Sequence, residues 1–315
     1  MYGCTRDEAA LFRVLAPRLG VLATLTDAPL SETTAELARG DRCVSVDHRT
    51  PVPRGALAAL GRAGVSHLWT RSIGDDHIDL AFAESVGITV EGVSYSPDSV
   101  ADHTLMLILM ALRHTRSVLH RAEGGDFRLS GAPGRELRDL TVGVVGAGRI
   151  GSAVVRRLLG FGARVLTHDT RPRSGARQVA LDDLLQHSDV ITLHTPLTPG
   201  TRHLLDRDRI GRLKHGAVVV NTGRGALLDT EALVSALRSG RLGGAALDVL
   251  EGEEGIFYAD LRDRPVDHGL LQELQAMPQV IITPHIGYYT DHALADIVEN
   301  TLASCVRLDG RSPRV

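Results

Sequence analysis

The chain has 315 residues, of which 43% are hydrophobic and 23% are charged, the composition of a globular protein with a sizeable core. A formal net charge of −3 gives no basic excess for binding nucleic acid. No apolar run reaches the roughly 18 residues of a membrane span, and residues 1–14 lack the apolar region of a signal peptide, so we expect no membrane contact and a cytoplasmic protein. Cys4, Cys43 and Cys305 are far apart in the sequence and form no metal-binding pattern, which predicts a reduced compartment and no metal site.

The part of the chain before residue 96 alternates short β-branched runs with stretches of helical periodicity. The predicted strands are 42–46, 66–70 and 88–90, and the predicted helices are 53–62 and 77–85. This alternation predicts a parallel sheet whose strands are joined by crossover helices.

A long helix is predicted to follow Pro97. This proline ends the preceding segment, and the polar residues around it can cap a helix whose apolar run extends from 100 to 112. Because that run is apolar nearly all round, the helix is expected either to be deeply buried between domains or subunits, or to be an ordinary core helix. The sequence leaves these alternatives open.

Three glycines, Gly146, Gly148 and Gly151, follow an apolar run at 140–145 and precede a predicted helix at 150–159. In such a Gly-x-Gly-x-x-Gly pattern, the glycines allow a tight turn, a close approach of the backbone to a pyrophosphate and close packing of the helix on the strand. The helix N-terminus then faces the anion. The pattern predicts a dinucleotide-binding domain, and the roughly one hundred residues in front of it are enough for a second compact unit.

An acidic residue follows the next predicted strand, 163–167. Asp169 lies 18 residues after Gly151, where a carboxylate can bind the ribose hydroxyls of NAD. Arg171 and Arg173 come next, and arginines there can either hold the 2′-phosphate of NADP or lie in a solvated loop. The sequence therefore predicts NAD or NADP as the cofactor.

Four further strands are predicted, and polar residues follow each of them: 189–194, 217–221, 244–248 and 280–283. Ligands of open α/β sheets bind at these carboxyl ends. Arg224, Glu253 and His285 come after the last three strands. A carboxylate beside a histidine stabilises its cationic form, which suits it to protonate a carbonyl oxygen while a hydride reaches the carbon. The planar guanidinium of Arg224 can bind a substrate carboxylate and polarise the adjacent carbonyl.

Several longer segments resemble a known family. They are the late glycine motif, LHTPLTPGT at 193–201, NTGRGALLDTEAL at 221–233, GGAALDV at 243–249 and TPH at 283–285. Together they make the chain similar to the D-isomer-specific 2-hydroxyacid dehydrogenases over almost its whole length. Within that family, segments such as YGCTRDEA, TRSIGDDHID and LEGEEGIFY most resemble the D-lactate dehydrogenases, in particular those of the vancomycin-resistance type.

The resemblance implies a role for each candidate residue. Arg224 would bind the substrate, and His285 would be the general acid and base. Glu253, which lies five residues after Asp248, would be the partner of the histidine, rather than Glu251 or Glu254. The implied substrate contacts are Ser72, Ile73, Gly74, Tyr95 and Tyr288. The implied cofactor contacts are Gly146, Gly148, Arg149, Ile150, Gly151, Asp169, Arg171, Thr195, Pro196, Thr201, Thr222, Gly223 and Asp248.

The fold implied by this family is α/β, with two doubly wound parallel-sheet domains. A Rossmann cofactor domain, residues 97–285, would be inserted in a flavodoxin-like substrate domain made of 1–96 and 286–315, with hinges at Pro97 and Pro284. The implied activity is NAD(P)H-dependent reduction of pyruvate to D-lactate by a homodimer, supplying D-lactate for D-Ala-D-Lac cell-wall precursors in vancomycin resistance. The alternatives are a dehydrogenase for another 2-keto acid and a non-enzymatic, cofactor-sensing module like the related corepressors.

Two features depart from the pattern of the D-lactate branch. The apolar residues that usually precede the segment matching residues 2–4 are missing, so the start is trimmed or the first strand is short. His285 is followed by Ile286 and Gly287, as in phosphoglycerate-type members, where the close relatives have Thr-Ala. The exact 2-keto acid therefore stays open.

Overall fold

The computed structural model describes residues 1–129, 131–171 and 175–308. The chain divides into two compact units, one made of Met1–Ser96 with Tyr289–Val315 and the other of Pro97–Tyr288. Arg173, one of the two arginines considered for NADP, lies outside the described residues. None of the helices in those three ranges is both long enough and apolar enough to cross a membrane.

The regular elements are numbered in chain order. The helices are α1 (Arg6–Arg18), α2 (Arg54–Ala63), α3 (Leu80–Ser85), α4 (Asp98–Leu112), α5 (Thr115–Glu123), α6 (Arg149–Gly160), α7 (Leu181–His187), α8 (Arg207–Arg212), α9 (Thr230–Arg238), α10 (Gly269–Ala276) and α11 (Asp291–Leu308). The strands are β1 (Cys43–Val46), β2 (His67–Thr70), β3 (Thr89–Gly92), β4 (Thr141–Val145), β5 (Arg164–His168), β6 (Arg177–Gln178), β7 (Val190–Leu193), β8 (Ala217–Asn221), β9 (Leu242–Leu247) and β10 (Val280–Ile282).

The first unit contains the parallel sheet β1-β2-β3. Val44 and Leu68, which are paired in register, pack in one apolar core with side chains of α2 and α3. The Tyr2 N–H donates to the Ser45 carbonyl of β1, and backbone hydrogen bonds join residues 24–28 to residues 1–4. Counted along the chain, these five segments have the order 2-1-3-4-5 of a doubly wound, flavodoxin-like sheet.

Helix α1, which was not among the predicted helices, begins at a capping box. The Thr5 hydroxyl accepts the Glu8 N–H, and the Glu8 carboxylate accepts the Thr5 N–H. Glu8 also accepts a 2.8 Å hydrogen bond from the buried Arg71. Burial alone would raise the pKa of Glu8, but the charge of Arg71 and the Thr5 N–H outweigh it and hold that pKa below its ordinary value. Since Arg71 directly precedes the loop 72–74, this ion pair fixes where the loop starts.

Within the described residues, the second unit has a sheet of seven parallel strands in the order β10-β9-β8-β7-β4-β5-β6. The direction of winding reverses between β4 and β7, which makes their carboxyl ends the switch point of the sheet. The sheet has an apolar core on each of its two faces, and alternate side chains of a strand point into different cores. In β8, Val219 belongs to the first core, and Val218 and Val220 belong to the second. Helices α7 to α10 contribute to the first core, and α4 and α6 to the second. The predicted α/β fold with parallel sheets is confirmed.

Helix α4 is the long helix predicted after Pro97. Its buried residues pack on α6, β8 and β9 of its own unit. The side opposite these contacts stays open, since Met106 is 41% exposed. Helix α4 is thus a core helix of the second unit with one accessible side.

Many element boundaries differ by one or two residues from the sequence prediction, and two differences of three residues have an identifiable cause. The second unit extends to Tyr288 rather than ending at His285, because the N–H groups of Ile286 and Gly287 donate to a carboxylate of that unit. Helix α3 begins at Leu80 rather than at residue 77, because the side chain of Asp79 accepts the N–H three residues on and caps the helix there.

Candidate active site

The glycine motif lies at the carboxyl end of β4 and leads into α6. Gly146 has a φ of 89°, and a Cβ there would be 2.6 Å from the backbone of His194. A Cβ on Gly151 would be 1.9 Å from the Gly146 carbonyl oxygen, so neither position accepts a side chain. A Cβ on Gly148 would meet nothing within 4 Å, so the space in front of the α6 N-terminus is open. This arrangement fits the pyrophosphate of a dinucleotide, bound by the first N–H groups of α6.

Asp169 lies directly after β5, beside the glycine motif. Its carboxylate accepts the backbone N–H groups of Ala147 and Arg171, each at 2.6 Å. The carboxylate is therefore held where the ribose hydroxyls of a dinucleotide bind in such folds. The side chain of Arg171 is exposed and donates no hydrogen bond to the described part of the chain.

Other residues predicted to contact the cofactor lie at the same edge of the sheet, after β7 and β8. The Thr201 hydroxyl donates to the Pro196 carbonyl at 2.7 Å and closes the turn after Thr195. The buried Thr222 hydroxyl lies 2.9 Å from that of Thr104 in α4. Both hydroxyls thus stabilise the loops that carry them. The contacts of Thr195, Pro196, Thr201, Thr222, Gly223, Arg149 and Ile150 with a cofactor stay predictions.

Arg224 follows β8 in a turn that a side chain stabilises. The Asn221 amide donates to the Arg224 carbonyl at 2.8 Å and accepts the Gly223 N–H at 3.1 Å. A Cβ on the next residue, Gly225, would be 2.1 Å from the backbone that follows β9. The segment that carries Arg224 therefore packs directly on the segment that carries Glu253.

His285 and Glu253 form a hydrogen-bonded pair. The His285 Nδ1 and the Glu253 Oε1 are 2.5 Å apart, and the other carboxylate oxygen accepts the Leu250 N–H at 2.6 Å. The two side chains are only 15% and 18% exposed, so the pair is partly shielded from water. Because β8, β9 and β10 are neighbours, Arg224 and this pair lie at the same edge of the sheet.

The other two acidic residues of this loop have different surroundings. Glu251 binds Arg202 and, at 2.9 Å, His203. Glu254 is exposed. Of the three candidates, Glu253 is the one that the structure places beside the histidine.

No role was predicted for Tyr258 from the sequence, although it is the last residue of the family-like segment LEGEEGIFY. Its hydroxyl donates to the His285 carbonyl at 2.7 Å, and the two ring centres are 5.9 Å apart. Both residues adopt the left-handed backbone conformation, with φ of 67° and 55°. Their contact depends on two unusual backbone conformations that the sequence does not reveal.

Asp248, predicted as a cofactor contact, is buried and holds the segment that contains His285. Its carboxylate accepts the Thr283 hydroxyl at 2.6 Å and lies 3.2 Å from the His103 ring nitrogen. It also accepts the N–H groups of residues 286 and 287. Burial would raise the pKa of Asp248, but the hydrogen bonds from His103 and Thr283 outweigh it and hold that pKa below its ordinary value. The sequence contained one sign that His103 has a special role: it is a polar residue within the apolar helix α4.

The loop 72–74 of the first unit carries three predicted substrate contacts. The Ser72 hydroxyl donates to the Gly74 carbonyl at 2.6 Å, which tightens the turn. Within the described residues, the N–H groups of Ile73 and Gly74 have no acceptor in the chain. Two adjacent N–H groups of this kind can bind a carboxylate. Tyr95 of this unit and Tyr288 of the second unit are half-buried.

A family model described as the NAD-binding domain of D-isomer specific 2-hydroxyacid dehydrogenases matches residues 105–287. The chain belongs to this family. It is therefore a 2-hydroxyacid dehydrogenase, an oxidoreductase, and its second unit contains the NAD-binding domain. The predicted family, enzyme class and type of cofactor are confirmed.

Known proteins resemble this dehydrogenase over nearly its whole length. It is 51% identical to a D-specific alpha-keto acid dehydrogenase of Enterococcus faecium over 311 residues, which cover 99% of this chain and 97% of the relative. The D-lactate dehydrogenase of Aquifex aeolicus, solved with NAD and lactic acid, is 32% identical with a TM-score of 0.86, and the match covers 98% and 95% of the two chains. A D-2-hydroxyisocaproate dehydrogenase structure is 33% identical with a TM-score of 0.87, covering 99% and 97%.

Replacing Glu253 by glutamine is expected to lower kcat for 2-keto acid reduction by about tenfold or more, because the His285 ring loses the carboxylate that orients it, 2.5 Å from its Nδ1. The measurement is steady-state kcat for reduction. The exposed Glu254, replaced by glutamine, is the matched control and should leave kcat unchanged. An unchanged kcat for Glu253→Gln would mean that this carboxylate does not position the histidine.

Proposed function

We propose that this dehydrogenase reduces pyruvate to D-lactate. The observation that carries the proposal is the pair of His285 and Glu253, 2.5 Å apart, at the sheet edge where Arg224 also lies. A cationic histidine can protonate the oxygen of a carbonyl, and an arginine can bind the carboxylate next to it. These are the two groups that the reduction of a 2-keto acid requires from the protein.

Each of these residues has a distinct task. With Nδ1 directed at Glu253, the proton that His285 delivers to the substrate oxygen is the one on Nε2. Glu253 orients the ring, and Arg224 holds the carboxylate and polarises the carbonyl. The bound NADH or NADPH supplies the hydride. The N–H groups of Ile73 and Gly74, which belong to the first unit, stay predicted contacts of a substrate carboxylate.

The finer assignment is to the vancomycin-resistance type of D-lactate dehydrogenase, VanH, which makes D-lactate for D-Ala-D-Lac precursors. It is supported by the segments quoted above and by the 51% identity to the Enterococcus faecium D-specific alpha-keto acid dehydrogenase. A dehydrogenase for a bulkier 2-keto acid is the second candidate. Two observations favour it: Ile286 follows the histidine where close relatives have threonine, and a D-2-hydroxyisocaproate dehydrogenase has a very similar structure.

The deciding experiment is reduction of a substrate panel by the purified protein with NADH or NADPH. The panel contains pyruvate, 2-ketoisocaproate and phenylpyruvate, and the product configuration is determined by chiral chromatography. We expect pyruvate to have the highest kcat/KM and to give D-lactate alone. A higher kcat/KM for either larger acid would favour the second candidate. If none of the three 2-keto acids is reduced while the cofactor still binds, the proposal is wrong, and a non-enzymatic cofactor-sensing module becomes the better interpretation.

Cofactor preference is expected to depend on Asp169 and Arg171 in opposite directions. Asp169 should repel a 2′-phosphate, so Asp169→Ser should raise the NADPH to NADH ratio of kcat/KM about tenfold, the change that roughly 1.4 kcal/mol produces. Arg171, whose side chain is exposed, should attract that phosphate, so Arg171→Ala should lower the ratio. Arg156→Ala, at an exposed arginine of α6, is the control. An unchanged ratio in Arg171→Ala would mean that this arginine belongs to a solvated loop.

We further propose a homodimer formed through the open side of α4 and α5. Helix α5 has no buried residue although it contains Val118 and Leu119, and Leu129 after it is fully exposed. Covering these side chains would remove an apolar patch from water. Leu129→Asp should therefore shift the protein toward monomer in multi-angle light scattering, whereas Leu22→Asp, at an equally exposed leucine of the first unit, should not. A wild-type protein that is monomeric at micromolar concentration would contradict this proposal.

A further inference from the structure

Two cysteines that are far apart in the sequence meet in the first unit. Cys43 and Cys305 are separated by 262 positions, yet their Sγ atoms are 3.1 Å apart. Cys43 is the first residue of β1, and Cys305 lies near the end of α11. Their wide spacing along the chain gave no sign of this contact.

The two sulfurs are carried by elements that are fixed in different ways. Strand β1 is held by its parallel pairing with β2, in which Cys43 lies opposite His67. Helix α11 is held by its packing on α1, through Val298 and Leu302. A disulfide requires an S–S distance of about 2.05 Å, so the sulfurs need to approach by about 1 Å. Rotation of the two side chains can supply a movement of this size.

A small oxidant can reach the pair. Both cysteines line a cavity of about 360 Å³ in the first unit. Its lining also includes Leu22 and Leu37, which are exposed at the protein surface. Cys43 is half-buried and Cys305 is buried, so Cys43 is the more accessible of the two.

We propose that Cys43 and Cys305 form a peroxide-sensitive site that closes an intrachain disulfide between β1 and α11. The Cys43 thiolate attacks one oxygen of hydrogen peroxide, breaks the O–O bond and becomes a sulfenic acid, while the second oxygen leaves as water. The Cys305 thiol then attacks the Cys43 sulfur and displaces a second water. Two thiols lose two electrons and two protons in total, and the peroxide is reduced to two waters.

The third cysteine provides a control within the same unit. The Cys4 Sγ contacts the Met1 carbonyl at 3.7 Å, so its neighbour is a backbone oxygen. Burial raises the pKa of the Cys4 thiol and so lowers its thiolate fraction. We expect Cys4 to remain a thiol under conditions that oxidise the pair.

The experiment treats the purified full-length protein with a few equivalents of hydrogen peroxide, followed by alkylation, a non-reducing denaturing gel and peptide mapping. The disulfide would close a loop that contains the entire second unit, so the oxidised chain should migrate faster, and dithiothreitol should reverse the shift. Peptide mapping should find Cys43 joined to Cys305 and Cys4 alkylated. Cys4→Ser should behave like the wild type, whereas Cys43→Ser and Cys305→Ser should lose the fast-migrating species.

Three results would overturn the proposal: three alkylated thiols after excess peroxide, a covalent dimer as the main product, or sulfinic acid on Cys43 with Cys305 still a thiol. The peptide map is made on the wild-type chain, so it decides the question even if a serine variant fails to fold. Cys43→Ala and Cys305→Ala, which place no hydroxyl at the half-buried Cys43 or the buried Cys305, provide a second set of variants.

Discussion

Replacing His285 by glutamine is expected to reduce kcat for pyruvate reduction by about 10² to 10⁴, because the reaction loses its general acid. Cofactor binding should survive, since the glycine motif and Asp169 lie after other strands than the one His285 follows. The measurements are steady-state kcat with pyruvate and the fluorescence titration of NADH.

Two further variants make the His285 result specific. His285 has a φ of 55°, a conformation that asparagine tolerates well, so His285→Asn tests whether loss of activity comes from backbone strain. It should be as inactive as the glutamine variant. His215→Gln, at an exposed histidine of the same unit, should keep normal kcat. Near-normal turnover in both His285 variants would remove this residue from the reaction.

Arg224→Lys is expected to raise the KM for pyruvate and to lower kcat, because a point charge replaces a planar fork that binds the carboxylate and polarises the carbonyl. Arg224→Gln, which lacks the charge, should lower kcat/KM by about 10² to 10³. The measurement is the pair of KM and kcat for pyruvate, together with the Kd for NADH.

The control for Arg224 is Arg238→Lys, since Arg238 is an exposed arginine of α9 that pairs with Glu273. It should leave KM and kcat unchanged. If Arg224→Lys altered only the Kd for NADH, the arginine would belong to the nucleotide site, and the proposed binding of the carboxylate would fail.

Strands and strand-end residues could be predicted because their signals are local. The β-branched run that became β4 ends in glycines, and the run at 217–221 became β8 without a shift of either end. Since parallel strands end at one edge of the sheet, residues after neighbouring strands could be expected to lie together. Helix α1 was missed although Thr5 and Glu8 have the spacing of a capping box, because the helix is polar on average and contains Pro17 near its end.

Contacts between distant segments could not be predicted. The hydrogen bond of Tyr258 to His285, the approach of His103 to Asp248 and the meeting of two cysteines all join residues whose spacing follows no local period. Each depends on how the helices and loops pack after the sheet has formed. The sequence contained only one weak sign of these contacts, a histidine within the apolar helix α4.

The backbone contact at Gly225 limits how the substrate range of this enzyme can be changed. A side chain there would collide with main-chain atoms after β9 rather than with a flexible side chain, so the arginine and glutamate segments can only shift together. Randomising either segment would mostly yield proteins whose active site is misaligned. Ile286 and Tyr258 are each 40% exposed and flank the histidine without such a contact. Directed evolution toward larger or smaller 2-keto acids should therefore begin at these two positions and leave the glycine unchanged.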